Sequence, residues 1–404
     1  MSAELLRFPS PRATLPVSLA VVEPGLRVDT IDDPARFAAL RDPWNELLES
    51  SSSNTVFLTW EWLSTWCAHL SAGTKLHVIT VRRGSQILAI APFVSRGTSL
   101  LGALRLSFIG TGRVGSDYLD ILVRHGAAAE AIAKLSAHLV QTDAQLDLAQ
   151  VRVTASAARL LARDLRLSGG LVGATRTHRC PYIDLKGLTF DSYLASLGSE
   201  HRYNFQRKLR KLETAHAMRF EPVDSEARRR ELLPVLFELH RLRWSERGGS
   251  DGLSGEGIRG FHEEWSRLAL SRGWLRFFIL WLKDTPAAAF YGFRYGRVFS
   301  FYQSGFDPRF SKLSVGLVTM GLAIRSALDE GAAEFDLLHG EESYKLHWAK
   351  RSRRLFRLSV FPGGGLGHLA RAGASARESA RRLMRRLPAR LVSRLTAQRR
   401  GGAQ

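Results

Sequence analysis

The chain has 404 residues, 45% of them hydrophobic and 24% charged, with a formal net charge of +20 and two cysteines. That length suggests two domains, with apolar residues enough for their cores. No apolar run approaches the roughly 18 residues of a spanning helix, and Cys67 and Cys180 stand far apart, which excludes a disulfide framework and a cysteine-spaced metal site.

The first 25 residues lack the basic, apolar and small-residue regions of a signal peptide and read as a flexible leader, with the cytoplasm as the default compartment. "DPARFAALRDPWNELLESS" is an amphipathic helix with Asp32 or Asp33 as cap and Pro34 in its first turn. "LTWEWLSTWCAHL" is a second helix capped by Thr59, and its Trp60, Trp62 and Trp66 read as core. The runs "LHVITVRR", "QILAIAPFVSR", "LRLSFIG" and "YLDILV" are strand-like, followed by a helix over "AAAEAIAKLSAHLVQ", the strand "LDLAQV" and a helix near "AARLLARDLRL".

The second half has the same grammar at greater length. "CPYIDL" is a strand, "TFDSYLASL" and "SEHRYNFQRKLRKLETA" are helices, and "MRFEPV" is a short strand. A long helix from about Glu226 runs into the Gly-rich break "RGGSDGLSGEG", then a helix over "FHEEWSRLALSRG" and three strands, "WLRFFILWLKD", "AAAFYGFRYG" and "VFSFYQSGF". The loop "DPRFSKLSVG" opens a further helix, and "EFDLL", "HGEE", "SYKLHWA" and "LFRLSVF" give strand, loop, helix and strand. The order implies α/β (α+β) architecture, a mixed, mainly antiparallel sheet flanked by helices in each half. After Phe361 the tail holds ten Arg against one Glu, with apolar residues near helical spacing. Such a segment is a solvated tail, a binder of anionic membrane surfaces, or a phosphate grip.

A loop between a strand and a helix N-terminus gathers unpaired N–H groups at the positive end of the helix dipole, so Lys312, Ser314 and Gly316 are either an anion cradle or an ordinary cap. His240, Arg243 and Trp244 share one helix face, as a substrate-facing group or a stacked structural pair. Asp336 sits in a strand that must be buried, so it requires a cationic partner such as Lys345 or an Arg, or serves the acceptor. His339 or Glu341 follows that strand and is placed to take a proton from an amine; each is equally a loop or cap residue. Tyr344 is either an acid or a core aromatic. No phosphate-binding Walker loop or H-E-x-x-H is present.

Taken in order, "HRYNFQRKLRKLE", "ELHRLRWSERGG", "YQSGFDPRFSKLSVG" and "FDLLHGEESYKLHWA", with "FLTWEWLSTW", "APFV" and "SDYLDILV" before them, resemble GNAT superfamily acyltransferases. They are most similar to the CelD/BcsL type of cellulose and exopolysaccharide biosynthesis, itself related to Fem-type aminoacyltransferases. The likeness covers about residues 30 to 362. It implies two GNAT-like domains: residues 26–180 as the acceptor-side wall and residues 181–362 as the acyltransferase domain with the acyl-CoA site, before a basic amphipathic tail over 363–404. It further implies acetyl-CoA or another acyl-CoA as co-substrate, no metal, and direct transfer to an amine or hydroxyl of a small-molecule or glycan-precursor acceptor. In the family the cradle reads Q/R-x-x-G-x-G/A; here Ser314 replaces the usual first glycine, and Lys312, two residues before it, supplies the charge.

By the same resemblance, Gln303, Ser304, Lys312, Ser314, Val315 and Gly316 bind the cofactor, Glu341 or His339 acts as base and Tyr344 as acid. His240, Arg243, Trp244, Asp336 and Lys345 face the acceptor. The alternatives are a Fem-like transferase that uses aminoacyl-tRNA, and a non-catalytic scaffold for polysaccharide synthesis held peripherally at the inner membrane by the tail.

Overall fold

The computed structural model describes residues 25–98, 104–152, 156–245, 252–365, 367–369 and 371–373. The expected leader, the larger part of the basic tail and the first part of the Gly-rich break lie outside these residues. Strand β1 (Leu26–Ile31) leads to α1 (Pro34–Ala38), where the Asp33 carboxylate accepts the Arg36 N–H at 2.8 Å. The single helix expected here is broken, and α2 (Arg41–Glu49) starts afresh. Pro43 has no N–H to give Ala39, and its ring opposes that carbonyl. Helix α3 (Trp60–Leu70) is capped as expected, with Thr59 Oγ1 accepting the Trp62 N–H at 3.2 Å.

The next two apolar runs each form two strands rather than one: β2 (Lys75–Leu76) and β3 (Val78–Arg83), then β4 (Gln86–Ala91) and β5 (Phe93–Thr98). The breaks fall at His77 and at Pro92, which has no N–H for a ladder, and there the chain passes from one sheet to another. Strand β6 (Leu104–Phe108) follows. "YLDILV" is mostly a buried loop, with only β7 (Leu122–Val123) extended. Tyr118 adopts a left-handed φ of 58°, and the Asp120 carboxylate turns inward to accept hydrogen bonds from Ser53, Ser156 and the N–H groups of Ala157 and Ala158. It thereby caps α5 (Ala157–Leu167), which lies beyond α4 (Ala128–Gln141) and β8 (Gln145–Arg152).

Strand β9 (Leu171–Asp184) is 14 residues long, and the boundary expected at 180/181 falls inside it. The second half then runs through α6 (Phe190–Ser196), α7 (Ser199–Ala215), β10 (Met218–Pro222), α8 (Glu226–Ser245) and α9 (Glu256–Ser271). Strands β11 (Leu275–Leu282), β12 (Thr285–Tyr295) and β13 (Val298–Phe306) form an antiparallel meander. Helix α10 (Val315–Asp329), β14 (Glu334–Asp336), α11 (Ser343–Trp348) and β15 (Arg351–Phe361) close the order.

A four-stranded sheet has the order β1-β3-β4-β7, and an eleven-stranded sheet the order β10-β11-β12-β13-β14-β9-β15-β8-β6-β5-β2. Both are mainly antiparallel; β13 with β14 and β6 with β8 are parallel pairs. Outward from the β9–β15 pair the larger sheet repeats the same pair directions on each side, antiparallel, parallel, then antiparallel, with β10 left without a counterpart. Strand–helix–strand–helix–strand occurs twice, as β6-α4-β8-α5-β9 and as β13-α10-β14-α11-β15. The final strands are exchanged: β9 pairs with β14 of the second half, and β15 pairs with β8 of the first.

Two cores cover opposite faces of this sheet. One, between the halves, contains Trp62, Tyr118, Trp265, Tyr291 and Leu338; the other contains Phe205, Phe301, Val315, Leu337 and Trp348 beneath α10 and α11. Trp62 is fully buried, its Nε1 donates to Ser116 Oγ at 2.8 Å, and its ring meets Phe57, Phe261, Trp265, Phe293 and Tyr302 edge-on. Trp66 is buried as well, as the sequence suggests. Among the described residues no helix is long and apolar enough to cross a membrane.

Candidate active site

The site arises where two parallel strands part. Pairing of β13 with β14 stops at Ser300↔Asp336, so beyond it Phe301 to Phe306 diverge from Leu337 to Gly340. A cavity of about 820 Å³ opens on the α10–α11 side of this gap. Ser304, Ser314, Val315 and Gly316 line it, together with Arg243, Trp244 and Tyr344.

The loop before α10 is a 3-10 turn over Pro308–Leu313, opened by the Asp307 carboxylate accepting the Arg309 N–H at 2.9 Å. Ser314 caps α10 in the left-handed conformation, φ 60° and ψ 40°, and its hydroxyl makes no capping hydrogen bond. The N–H groups of Val315, Gly316 and Leu317 therefore begin the helix without intrahelical partners, and all three residues border the cavity. Positive backbone potential is thus directed into it. Lys312 is exposed and does not line the cavity; its carbonyl accepts the Lys208 Nζ at 2.6 Å.

Arg243 reaches the cavity from the end of α8. Its guanidinium donates to Ser304 Oγ and lies 5.3, 5.6 and 5.4 Å from the rings of Trp244, Phe306 and Tyr344. Burial pushes the Tyr344 hydroxyl pKa up, and the Arg243 charge opposes that rise. His240, one turn earlier, is buried against β13 beside Gln303, and burial lowers its pKa to about 4. Helix α8 lies so close there that a Cβ on Gly305 would stand 2.3 Å from the His240 nitrogen. His240 and Gln303 consequently pair with each other outside the cavity lining. Two further polar atoms bordering the cavity, His201 Nε2 and Thr319 Oγ1, are buried without a hydrogen-bond partner among the described residues.

The opposite side of the gap faces the first half. Asp336 is buried there, accepting from the Tyr118 hydroxyl at 2.6 Å, the Leu338 N–H at 2.8 Å and Arg353 Nη1 at 3.1 Å. Its cationic partner is Arg353, from the last strand, and not Lys345. Lys345 is buried and donates to the His339 carbonyl at 2.7 Å, with Glu342 3.2 Å away. Glu341 is two-thirds exposed and stands 3.5 Å from Arg179. His339 lies against the first half, with Nδ1 2.9 Å from Asp117 Oδ1 and its N–H donating to Asp117 Oδ2 at 2.8 Å. Asp117 is fully buried and also accepts from Gln150 Nε2 at 2.9 Å.

Lys312 and the His240–Gln303 pair apart, the sequence-derived residues therefore fall into two groups on opposite sides of one gap. Asp117, Tyr118, Gln150 and His178 were not anticipated. The available signal is the pair of aspartates in "SDYLDILV", since a carboxylate in an apolar run has to find a buried partner. Among the described residues, no group of three or more His, Cys, Asp or Glu side chains could hold a metal ion.

Residues 199–346, less than half of the chain, match the family described as acetyltransferase (GNAT) domain. No curated protein matches the chain. Several solved structures resemble most of the chain. FemX does so at 12% identity and a TM-score of 0.57, over 78% of this chain and 95% of that one. L-PGS from Bacillus licheniformis gives 13% and 0.52, over 83% and 94%. A protein of unknown function from Bacteroides thetaiotaomicron gives 13% and 0.52, over 83% and 100%. At these identities the likeness establishes the fold. The chain thus carries a GNAT acetyltransferase domain, the domain of an acyltransferase, within a two-part mixed α/β architecture.

Proposed function

With an acetyltransferase domain over residues 199–346 as the premise, we propose that this protein transfers an acyl group, acetyl first among them, from coenzyme A to an amine or hydroxyl of a small acceptor or glycan precursor. A place in cell-envelope or exopolysaccharide synthesis fits such an acceptor. The observation that carries the proposal is the cavity bounded by the diverging end of β13 and the N–H groups of Val315, Gly316 and Leu317, which have no partner within the helix. Those donors suit a pyrophosphate, and the apolar floor of Phe290, Phe301 and Met320 suits the uncharged arm of the cofactor.

The acceptor enters from the side of the first half and attacks the thioester carbonyl within the gap. Backbone N–H groups along the parted strands hold the carbonyl oxygen as it gains charge. The carbon–sulfur bond breaks, and the Tyr344 hydroxyl returns a proton to the departing thiolate. Arg243, beside that ring, steadies the phenolate left behind.

Melting of the full chain with a panel of CoA thioesters tests the reading. At 100 times Kd a thioester stabilises by about 2.7 kcal/mol. Gly316→Asp separates binding from folding, because an added Cβ meets only Phe306 at an ordinary 3.6 Å, and an acid in a first helical turn favours the helix. The variant should keep the parent's melting temperature and lose the ligand shift. No shift in the parent with any thioester would sink the proposal.

One observation favours a second donor. Helix α7 borders the cavity through Glu200, His201 and Asn204, and Arg207, Arg210 and Lys211 on it are exposed. A basic face beside a donor pocket suits aminoacyl-tRNA, whose binding would weaken steeply with salt. Absence of tRNA binding at low salt removes this alternative. The membrane contact proposed for residues 363–404 concerns the tail, whose larger part lies outside the described residues.

A further inference from the structure

We propose that the acceptor's proton is taken by Nε2 of His339, and that Asp117, supplied by the other half of the chain, is the positioning residue that makes it available. The inference rests on the acyl-CoA reading above and deepens it by selecting between two bases that the sequence leaves open.

The selection is geometric. Asp117 holds His339 at two points, since Oδ1 faces Nδ1 at 2.9 Å and Oδ2 accepts the main-chain N–H at 2.8 Å. A carboxylate on Nδ1 fixes the proton there and leaves Nε2 as the basic nitrogen. Nε2 has no hydrogen-bond partner among the described residues, and about a third of the side chain remains exposed. The first half is shaped to this ring. Gly115 has φ +66°, and a Cβ there would stand 3.2 Å from His339 Cε1. On the other side Lys345 holds the His339 carbonyl, tying the backbone to α11. Glu341 has no such framework: it is largely exposed beside Arg179.

The step balances without a further reactant. Nε2 accepts the proton from the acceptor's N–H or O–H as nitrogen or oxygen bonds to the thioester carbonyl carbon. The carbon–sulfur bond breaks, and the thiolate takes a proton from Tyr344. Acylated acceptor and free CoA thiol are the products, and imidazolium and phenolate reset through water.

The charged and titratable groups around the imidazole are Asp117 from the first half, His178, Arg179 and Cys180 on β9, and Glu341, Glu342 and Lys345 before and on α11. The His178 ring is 5.1 Å away. Of these, Asp117 contributes most to raising the His339 pKa, with Lys345 opposing it. Removing the Asp117 charge should therefore lower the pH at which the base becomes available.

The test compares the full-length parent with His339→Asn and Asp117→Asn. Asn at 339 keeps an N–H donor for Asp117 and lacks Nε2; Asn at 117 keeps the shape and loses the charge. Melting with acetyl-CoA comes first. All three proteins should show the same ligand shift, since neither residue lines the cofactor cavity. A parent that binds no thioester fails the acyl-CoA reading itself, apart from the dyad. Release of CoA thiol from acetyl-CoA, with water as probe acceptor, is then followed from pH 5 to 9. His339→Asn should lose about 10²-fold in rate. Asp117→Asn should lose less, with the acid limb of its profile moved to lower pH. Full rate in His339→Asn, an unmoved limb in Asp117→Asn, or a parent rate equal to that of buffer overturns the assignment.

Discussion

The imidazole of His339 and the carboxylate of Asp117 meet at 2.9 Å although 222 residues separate them in the chain. The contact raises the His339 pKa, with Asp117 as its largest cause. A histidine whose pKa is raised by folding stabilises the fold fully below its unfolded value, and that contribution fades as pH rises through the folded value. The parent should therefore lose melting temperature as pH rises above about 6.5, while Asp117→Asn gives a flatter curve. Parallel curves would show that the pair is not charged in the folded protein.

His240 and His262 should act with the opposite sign. Burial lowers the first to about 4 and the second to about 3, from an ordinary 6.5, and His262 Nε2 has no partner among the described residues. Each is neutral when folded and takes up a proton more readily when unfolded. Stability should then fall as pH drops below about 6.5, by at most about 1.4 kcal/mol per pH unit for each group. Denaturant melts at pH 7, 6 and 5 check this, and His262→Phe should reduce the slope.

Trp62 joins the halves. Its ring packs on Phe261 and Trp265 of α9 and on Phe293 and Tyr302 of the second-half sheet, while Nε1 donates to Ser116. Trp62→Ala should cost about 3–5 kcal/mol. Trp62→Phe should cost less but leave Ser116 without its donor. Urea titration followed by circular dichroism separates the two, and a loss under about 1 kcal/mol for Trp62→Ala would contradict this packing role.

Ser314 carries a backbone conformation that suits glycine. At φ 60° a Cβ residue stores about 1 kcal/mol of strain, and its hydroxyl makes no capping bond in return. Ser314→Gly should leave stability unchanged or raise it by up to about 1 kcal/mol, while Ser314→Val should destabilise because a β-branched residue resists φ > 0. Thermal melting of both variants decides the matter.

That serine shows how far the sequence could be read. By letters, "KLSVG" departs from the family's glycine; by backbone, the serine occupies the left-handed position a glycine would take. The meander, the loop and α10 were legible because their periodicity and turn residues are local signals. Thr59, Asp33 and the buried tryptophans were legible for the same reason. The fate of "YLDILV" was not, because its aspartate turns the segment into a loop only when Ser53, Ser156 and the start of α5 come to meet Asp120. Asp117 was hidden likewise: its partner lies more than two hundred residues away, and no local spacing reports such a pairing. The break of one strand into β4 and β5 left a trace in Pro92, though a proline alone does not say that two sheets diverge there.

The exchanged final strands have a practical meaning for anyone wishing to handle the halves apart. Cutting the chain at 180/181 would sever β9 four residues before its end, leaving Tyr182, Ile183 and Asp184 beside β14 in the second piece but taking from β15 its partners between Leu171 and Cys180. It would also strip β15 of β8, exposing a long ladder edge of the sort that invites aggregation. Neither fragment would be a domain in the operational sense. Coexpressed, however, the two pieces have only each other's strands to complete their sheets, so this protein should lend itself to reconstitution from fragments rather than to dissection.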